Sequence, residues 1–254
     1  MSVFGGYAKY YDLLYRDKDY SAEVDFVYSI INQYCPNVET VLELGCGTGG
    51  HATSLAKKGL RIHGVDVSET MLDMAKDRHG EMPEKERAQL TFQKGDARSL
   101  HLGKKFDVVL SLFHVVSYQT SNEDVLNTFK TAKEHLREGG IFLFDFWYGP
   151  GVLTERPEPR EKKLSGEGIE VMRHAEPVMH ANDNVVDVNY SIKVTELGTA
   201  KTESFSECHR MRYFFQPEIE YFLENAGLQL VNSGEWMTGG EPGFNSWAVY
   251  CVAR

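Results

Sequence analysis

Cysteine is scarce in this chain of 254 residues. Cys35, Cys46, Cys208 and Cys251 are scattered, with no C-x-x-C pair. That excludes a disulfide scaffold and a thiolate metal site, and reads as reduced thiols. The nine histidines never fall at H-x-x-x-H spacing with a partnering acid, so no metal is expected. No run is long and apolar enough to span a bilayer. The first twenty residues lack a basic segment followed by an apolar one, so no signal peptide is evident. The expected location is the cytoplasm. Basic residues are outnumbered, 27 Lys and Arg against 37 Asp and Glu, for a formal charge of −10. This balance argues against a broad grip on a nucleic-acid backbone, while leaving room for a local basic pocket.

What is present is an ordinary globular composition, 42% hydrophobic and 25% charged. The length suits one large domain, or one domain carrying an insertion. Val24, Val27, Ile30 and Ile31 recur at helical spacing within 20–35. Strands are expected at 40–44, 61–66, 90–93, 106–112 and 141–146. Helices are expected at 50–58, from the Ser68 cap to about Arg78, and from Ser121 or Asn122 to Arg137. Gly139-Gly140 is the expected stop of that last helix, and residues 80–88 are an expected surface connection. Such alternation implies a parallel sheet with right-handed crossovers and ligands at the carboxyl ends of the strands.

The pattern breaks at Trp147. Residues 150–163 carry three prolines among charges and read as an exposed loop. Period-two alternation over 168–214 predicts three antiparallel strands with one wet face. After Pro217 a helix to Ala226 and two strands, about 228–236 and 246–253, complete the chain. The expected fold class is α/β: a Rossmann-like domain over 1–147 and 215–254, with an antiparallel β flap inserted at 148–214. The flap is expected to cover a substrate, to join two copies of the chain, or both.

One loop carries the chemistry. Glu43-Leu44-Gly45-Cys46-Gly47-Thr48-Gly49-Gly50 follows the first strand and opens a helix. Gly45, Gly47 and Gly50 fit the dinucleotide fingerprint G-x-G-x-x-G. Gly45, Gly47 and Gly49 fit G-x-G-x-G. Either spacing lets the backbone approach a ligand closely. Asp66, at the end of the second strand, sits where a carboxylate can accept from both hydroxyls of a ribose. Three features separate the alternatives. Glu43 precedes the loop. Gly95-Asp96-Ala97 ends the third strand, where Asp96 can accept from an adenine amino group. Leu112-Phe113 ends the fourth and can wall a cofactor. No tyrosine begins a Y-x-x-x-K, so a hydride-transfer apparatus is not evident.

Together these residues resemble the class I S-adenosylmethionine-dependent methyltransferases across 40–146, including their antiparallel last strand. The resemblance implies S-adenosylmethionine as cofactor and S-adenosylhomocysteine as product. It implies cofactor contacts at Tyr11, Tyr20, Glu43, Gly45, Gly47, Asp66, Val67, Met71, Asp96, Ala97 and Leu112. The flanks narrow it. Tyr10-Tyr11-Asp12-Leu13-Leu14-Tyr15 with Lys18-Asp19-Tyr20, Phe146-Trp147-Tyr148, and His209-Arg210 with Phe214 resemble the nucleotide-sugar N-methyltransferases of macrolide pathways. Two segments depart from that pattern: Asp145 stands where the family usually has proline, and the run Gly239–Phe244 differs.

On the acceptor side Tyr118 is the first candidate for a catalytic group, with His114 and Tyr11 beside it; Tyr15, Tyr148 and His209 are further candidates. Arg173, Arg210 and Arg212 are candidates for meeting a diphosphate. The implied partner is a small molecule, foremost a nucleotide-linked amino sugar. O-methylation of a sugar or other small metabolite is the alternative, and a silent S-adenosylmethionine-binding module the third reading. Nucleic-acid methylation is disfavoured: Ser111-Leu112-Phe113-His114 stands where an N-P-P-[YF] tetrad would.

Overall fold

The computed structural model describes residues 10–254 apart from Asp17 and Glu167. The first nine residues of the expected 1–147 segment therefore lie outside the described residues. The chain opens with α1 (Tyr11–Leu14) and α2 (Tyr20–Tyr34), then alternates. In order come β1 (Thr40–Leu44), α3 (Gly50–Lys57), β2 (Arg61–Asp66), α4 (Glu69–Gly80), α5 (Glu84–Arg87), β3 (Leu90–Lys94) and β4 (Phe106–Ser111). A 3-10 turn (Val115–Tyr118), α6 (Asn122–His135) and β5 (Leu136–Tyr148) follow.

The strands pair in the order β3-β2-β1-β4-β5, all parallel. The sheet is finished by β11 (Ala248–Ala253), antiparallel to β5, and then by β10 (Leu230–Glu235). Alternation along β5 shows why both faces are covered. Phe142, Phe144 and Phe146 join the core formed with α6 and α8 (Gln216–Asn225). Ile141 and Leu143 join the opposite core, with Val24, Val27, Ile30 and Ile31 of α2 and Leu55 of α3. That crossover arrangement brings the carboxyl ends of β1, β2, β3 and β4 to one edge. Among the described residues, no helix is long and apolar enough to cross a membrane.

Helix signals held well. Ser68 Oγ accepts from the Met71 N–H and Ser121 Oγ from the Asp124 N–H, the expected caps. Three expectations change. The Gly139-Gly140 pair is not a helix stop: α6 ends at His135, and both glycines lie within β5. Gly139 takes a φ of +76°, and a Cβ on Gly140 would meet the Asp107 carbonyl oxygen at 2.7 Å. The pair thus serves a register shift against β4. Residues 80–88 form the expected surface connection, within which the short α5 buries no residue. Residues 150–163 are not a loop: α7 (Gly149–Thr154) places Pro150 in its first turn, where a missing N–H costs nothing, and buries Val152 fully. The flap has four strands rather than three: β6 (Arg160–Gly166), β7 (Ile169–His180), β8 (Val185–Glu196) and β9 (Thr202–Phe214). Charges hid β6, since it is the edge strand: Arg160, Glu161, Lys163 and Ser165 are exposed and only Leu164 is buried.

The flap is anchored at three places. Trp147 and Tyr148 of β5 pair in parallel with Tyr213 and Phe214 of β9. Val152 of α7 packs with Val186 and Tyr213. Arg212 donates to Asn122 Oδ1 at 2.8 Å and to Glu218 at the start of α8.

Phe129 of α6 is fully buried, its ring 5.5 Å from Phe142 and 5.0 Å from Phe144. Phe129→Ala leaves a cavity there that the sheet cannot collapse into. Urea denaturation should show a loss of about 3–5 kcal/mol.

Candidate active site

The loop after β1 is built by backbone constraints. The Gly45 and Cys46 N–H groups both donate to the Val65 carbonyl of β2, at 2.8 and 3.0 Å. Gly45 has a φ of +79°, and a Cβ there would lie 2.5 Å from Val115 Cγ2. Gly50 is equally confined, because a Cβ would sit 2.8 Å from the Tyr20 ring. Asp66 closes the arrangement: Gly47 N–H donates to its Oδ2 at 2.8 Å and Ser68 N–H to its Oδ1 at 2.9 Å. Burial raises the Asp66 pKa, and the N–H donors of Ser68, Gly47 and Val67 oppose that rise.

Above this loop lies a cavity of ≈ 740 Å³. One half is lined by Asp66, Val67, Met71, Asp96, Ala97 and Leu112. Val67 is 56% exposed, an apolar surface beside the carboxylate with nothing packed on it. Asp96 is gripped by Arg98, whose Nε donates to Oδ1 at 2.9 Å and Nη2 to Oδ2 at 2.6 Å. This hydrogen bonding holds its pKa below the usual range. Tyr11, Tyr15 and Tyr20 reach the cavity from the N-terminal segment.

The other half rests on an unusual turn. Phe113 and His114 take φ of +61° and +63°, two consecutive left-handed non-glycine residues. Each such residue costs on the order of 1–3 kcal/mol and persists only where surroundings impose it. Here Asp145, fully buried on β5, imposes it. Both of its carboxylate oxygens accept from the His114 N–H at 3.1 Å, and Oδ2 stands 2.6 Å from His114 Nδ1. One turn on, Tyr118 Oη lies 2.8 Å from Nδ1 of His209 on β9. Burial drives the Tyr118 pKa well up and the His209 pKa down, the latter against the opposing pull of Glu207. Val188, Tyr190, His209 and Met211 carry the flap into the wall of the cavity.

Behind the loop sits a buried ionic group. Lys18 Nζ is 2.8 Å from Glu23 Oε2 and 3.3 Å from the Phe113 ring centroid. His51 Nε2 meets the same Glu23 oxygen at 2.9 Å. Burial alone would raise Glu23, yet hydrogen bonds from His51 and Lys18 bring it down to about 2. Glu43 is 1% exposed, with His51 Nδ1 3.8 Å from its Oε1 and no hydrogen bond to its Oε2. Burial, then the Asp66 charge, push its pKa up to about 8, against Lys18.

Most of the anticipated residues meet at this cavity, Tyr11, His114 and Tyr118 among them. Glu43 stands behind the lining rather than in it. Tyr148 does not reach the cavity and packs against the core under α6 and α8. Arg210 and Arg212 miss it for a simple reason: on β9 they alternate with His209 and Met211 and face the other way. They line a separate polar recess with Ser121 and Asp183. Arg173 lies over the Tyr190 ring, 5.0 Å from its centroid, one strand behind the lining. Asp145, Glu207 and the Glu23–His51 pair were not anticipated as site residues. Asp145 alone left a signal, a single charge inside the apolar run Ile141–Phe146.

Comparisons with known proteins agree with this geometry. A family described as methyltransferase domain matches residues 41–140. A protein of Geobacillus sp. (strain WCH70) that carries a provisional methyltransferase name is 32% identical over 99% of both chains. The dTDP-3-amino-3,4,6-trideoxy-alpha-D-glucopyranose N,N-dimethyltransferase of Streptomyces venezuelae is 29% identical, covering 93% of this chain and 94% of that protein. The crystal structure of DesVI from Streptomyces venezuelae superimposes with a TM-score of 0.80 at 27% identity, over 97% of each chain.

Glu43 yields a pH prediction. Its ordinary value of 4.5 rises to about 8 on folding. The folded protein therefore keeps a proton that the unfolded chain has lost. The stability this contributes is full below about 4.5 and disappears as the pH rises through 8. Glu43→Gln should flatten that decline: its urea midpoint should fall less between acid and mildly alkaline pH than the parent's.

Proposed function

This chain belongs to the S-adenosylmethionine-dependent methyltransferases, and we propose that it methylates the amino nitrogen of a nucleotide-linked sugar. The observation that carries the reading is the shape of one cavity. It runs from the glycine loop to a pair formed by Tyr118 of the domain and His209 of the flap, and its volume lies within the roughly 300–1,000 Å³ typical of small-molecule sites. The near full-length likeness to a dTDP-amino-sugar N,N-dimethyltransferase supplies the substrate class.

The residues present fit the cofactor. Gly47 opens onto space, with nothing within 4 Å of where its Cβ would stand, Val67 offers an exposed apolar face, and Glu43 keeps a buried oxygen without a hydrogen bond. In this assignment Asp66 accepts from the ribose hydroxyls, with Gly45 and Gly47 as the backbone floor. Val67, Met71, Ala97 and Leu112 flank the adenine, and Asp96 accepts from its amino group. Tyr11, Tyr20 and Glu43 serve the methionine end. Bound S-adenosylmethionine supplies an electrophilic methyl group on a positively charged sulfur that leaves as the neutral thioether.

The protein's share is alignment and proton removal. Holding the amine in line with the methyl carbon can supply roughly 7–11 kcal/mol at the upper end. Phe113, Trp147, Tyr190 and Met211 exclude water around the reacting atoms. The nitrogen lone pair forms the new N–C bond as the C–S bond breaks, and the nitrogen then carries one proton too many. Tyr118 Oη accepts that proton while passing its own to His209, which burial keeps neutral and ready. His114, fixed by Asp145, shapes the floor under the acceptor. The flap covers the substrate, and its unpaired edge β6 is where two copies of the chain meet; sedimentation on dilution reports that association.

Release of S-adenosylhomocysteine with nucleotide-linked amino sugars, each beside its hydroxy counterpart, tests the reading. Turnover confined to the amino members is expected. Turnover on the hydroxy members alone overturns it in favour of O-methyl transfer. Tyr118→Phe should lower kcat by about 10²-fold, the lower end of what a positioned proton acceptor contributes, with donor Kd unchanged. Normal kcat in that variant would remove Tyr118 from the reaction.

A further inference from the structure

Glu207 takes no part in the mechanism above, yet it is placed where it governs it. It lies on β9 two residues before His209, so both side chains project from the same face of the flap. Across the ladder Glu207 pairs with Tyr190 and His209 with Val188, and Val188, Tyr190 and His209 all line the cavity. Glu207 Oε2 stands 3.4 Å from His209 Nε2, with only 9% of the Glu207 side chain and 4% of the His209 side chain exposed. The two nitrogens of one buried imidazole therefore face two different partners: Glu207 on one side, Tyr118 Oη at 2.8 Å on the other.

We propose that Glu207 is a positioning residue that fixes the tautomer of His209, and through it the direction in which the Tyr118 hydroxyl points. A carboxylate only accepts, so it selects the form of His209 with hydrogen on Nε2. Nδ1 is then left as a lone pair. The Tyr118 O–H must donate to it, and the remaining lone pairs of Tyr118 Oη become acceptors toward the cavity. The opposite tautomer would turn Tyr118 around and present a donor to the substrate. It would then repel an N–H and bind the nitrogen lone pair that must attack. The logic is that of a carboxylate–histidine–hydroxyl series, with the hydroxyl acting as relay instead of nucleophile.

The charges around His209 agree with this. Glu207 faces it from its own strand. Tyr190 on β8 stacks edge-on at 4.9 Å, and Arg173 on β7 lies over the far ring of Tyr190. Tyr118 faces it from the domain. Glu207 is the acid among these, so it also stabilises the imidazolium that forms when His209 takes the proton. Because Glu207, His209 and Tyr190 ride on the flap and Tyr118 on the domain, the proton acceptor is complete only with the flap seated.

The effect on substrate rests on the amine-methylation reading, but the tautomer does not, and the experiment separates the two. NMR of the histidine ring nitrogens in the substrate-free protein reads the tautomer directly, with the His209 signal identified by its loss in His209→Asn. At neutral pH the parent should carry its hydrogen on Nε2. A parent with hydrogen on Nδ1 overturns the proposal whatever the substrate. In Glu207→Leu the Nδ1–H form should appear. In Glu207→Gln, whose amide oxygen still accepts, the parent pattern should return. Identical ring signals in Glu207→Leu and the parent overturn the proposal. With a turned-over substrate in hand, Glu207→Leu should lower kcat about tenfold, less than the roughly 10²–10⁴-fold range for outright loss of an acid or base. Donor Kd should stay unchanged, and the acid limb of the kcat profile should shift toward lower pH. Failure on amino sugars with the expected ring signals removes only the substrate reading.

Discussion

Two hydrogen bonds to one carboxylate organise the donor half of this site. Asp66 accepts from Gly47 on one oxygen and from Ser68 on the other. The first bond ties the loop after β1 to the end of β2, and the second starts α4. Without them the glycine loop would have no fixed height above the sheet. The Gly45 and Cys46 bonds to Val65 complete the same tie one residue earlier. Burial makes these bonds costly to lose, because a buried acceptor without partners forfeits its hydration as well. Each oxygen of Asp66 still has a lone pair for a ligand hydroxyl, so in the proposed function the carboxylate both builds the cradle and accepts from the ligand.

The acceptor half obeys a different constraint. Its shape depends on backbone strain at Phe113 and His114, held down by a single buried acid, Asp145. Strain of this kind is found where precise placement matters. It turns His114 toward the cavity and delivers the Val115–Tyr118 turn so that Tyr118 meets His209 on the flap. The donor half is thus built by the parallel sheet and the N-terminal segment packed on its loop, without the flap. The acceptor half exists only where sheet and flap meet. This division explains how a common donor-binding domain can serve many acceptors: altering the flap changes one wall and leaves the other intact.

The sequence was most legible where one local rule governed one element. The spacing of Val24, Val27, Ile30 and Ile31 announced α2, and Ser68 and Ser121 announced the starts of α4 and α6. The glycine loop, Asp66 and Asp96 were visible as cavity residues because each follows or ends a strand, and Tyr118 because it lies in the turn after β4. Legibility failed where pairing across the chain decided the outcome. β6 reads as a charged loop until β7 is beside it. Gly139-Gly140 reads as a helix stop until Asp107 is seen to crowd it. Arg210 and Arg212 looked available for a diphosphate, and only the pleat of β9 shows that they face away from the cavity. Glu207 was silent for the same reason, since its meaning lies in a histidine two residues on and a tyrosine on another element.

The most direct test of this account is a calorimetric titration of S-adenosylhomocysteine into the parent and into Asp66→Ala. If Asp66 both shapes the loop and holds the ribose, the variant should bind about 1–3 kcal/mol more weakly while remaining folded. Equal affinity in the two proteins would contradict the account, because the carboxylate around which the donor half is built would then be making no contact with the donor.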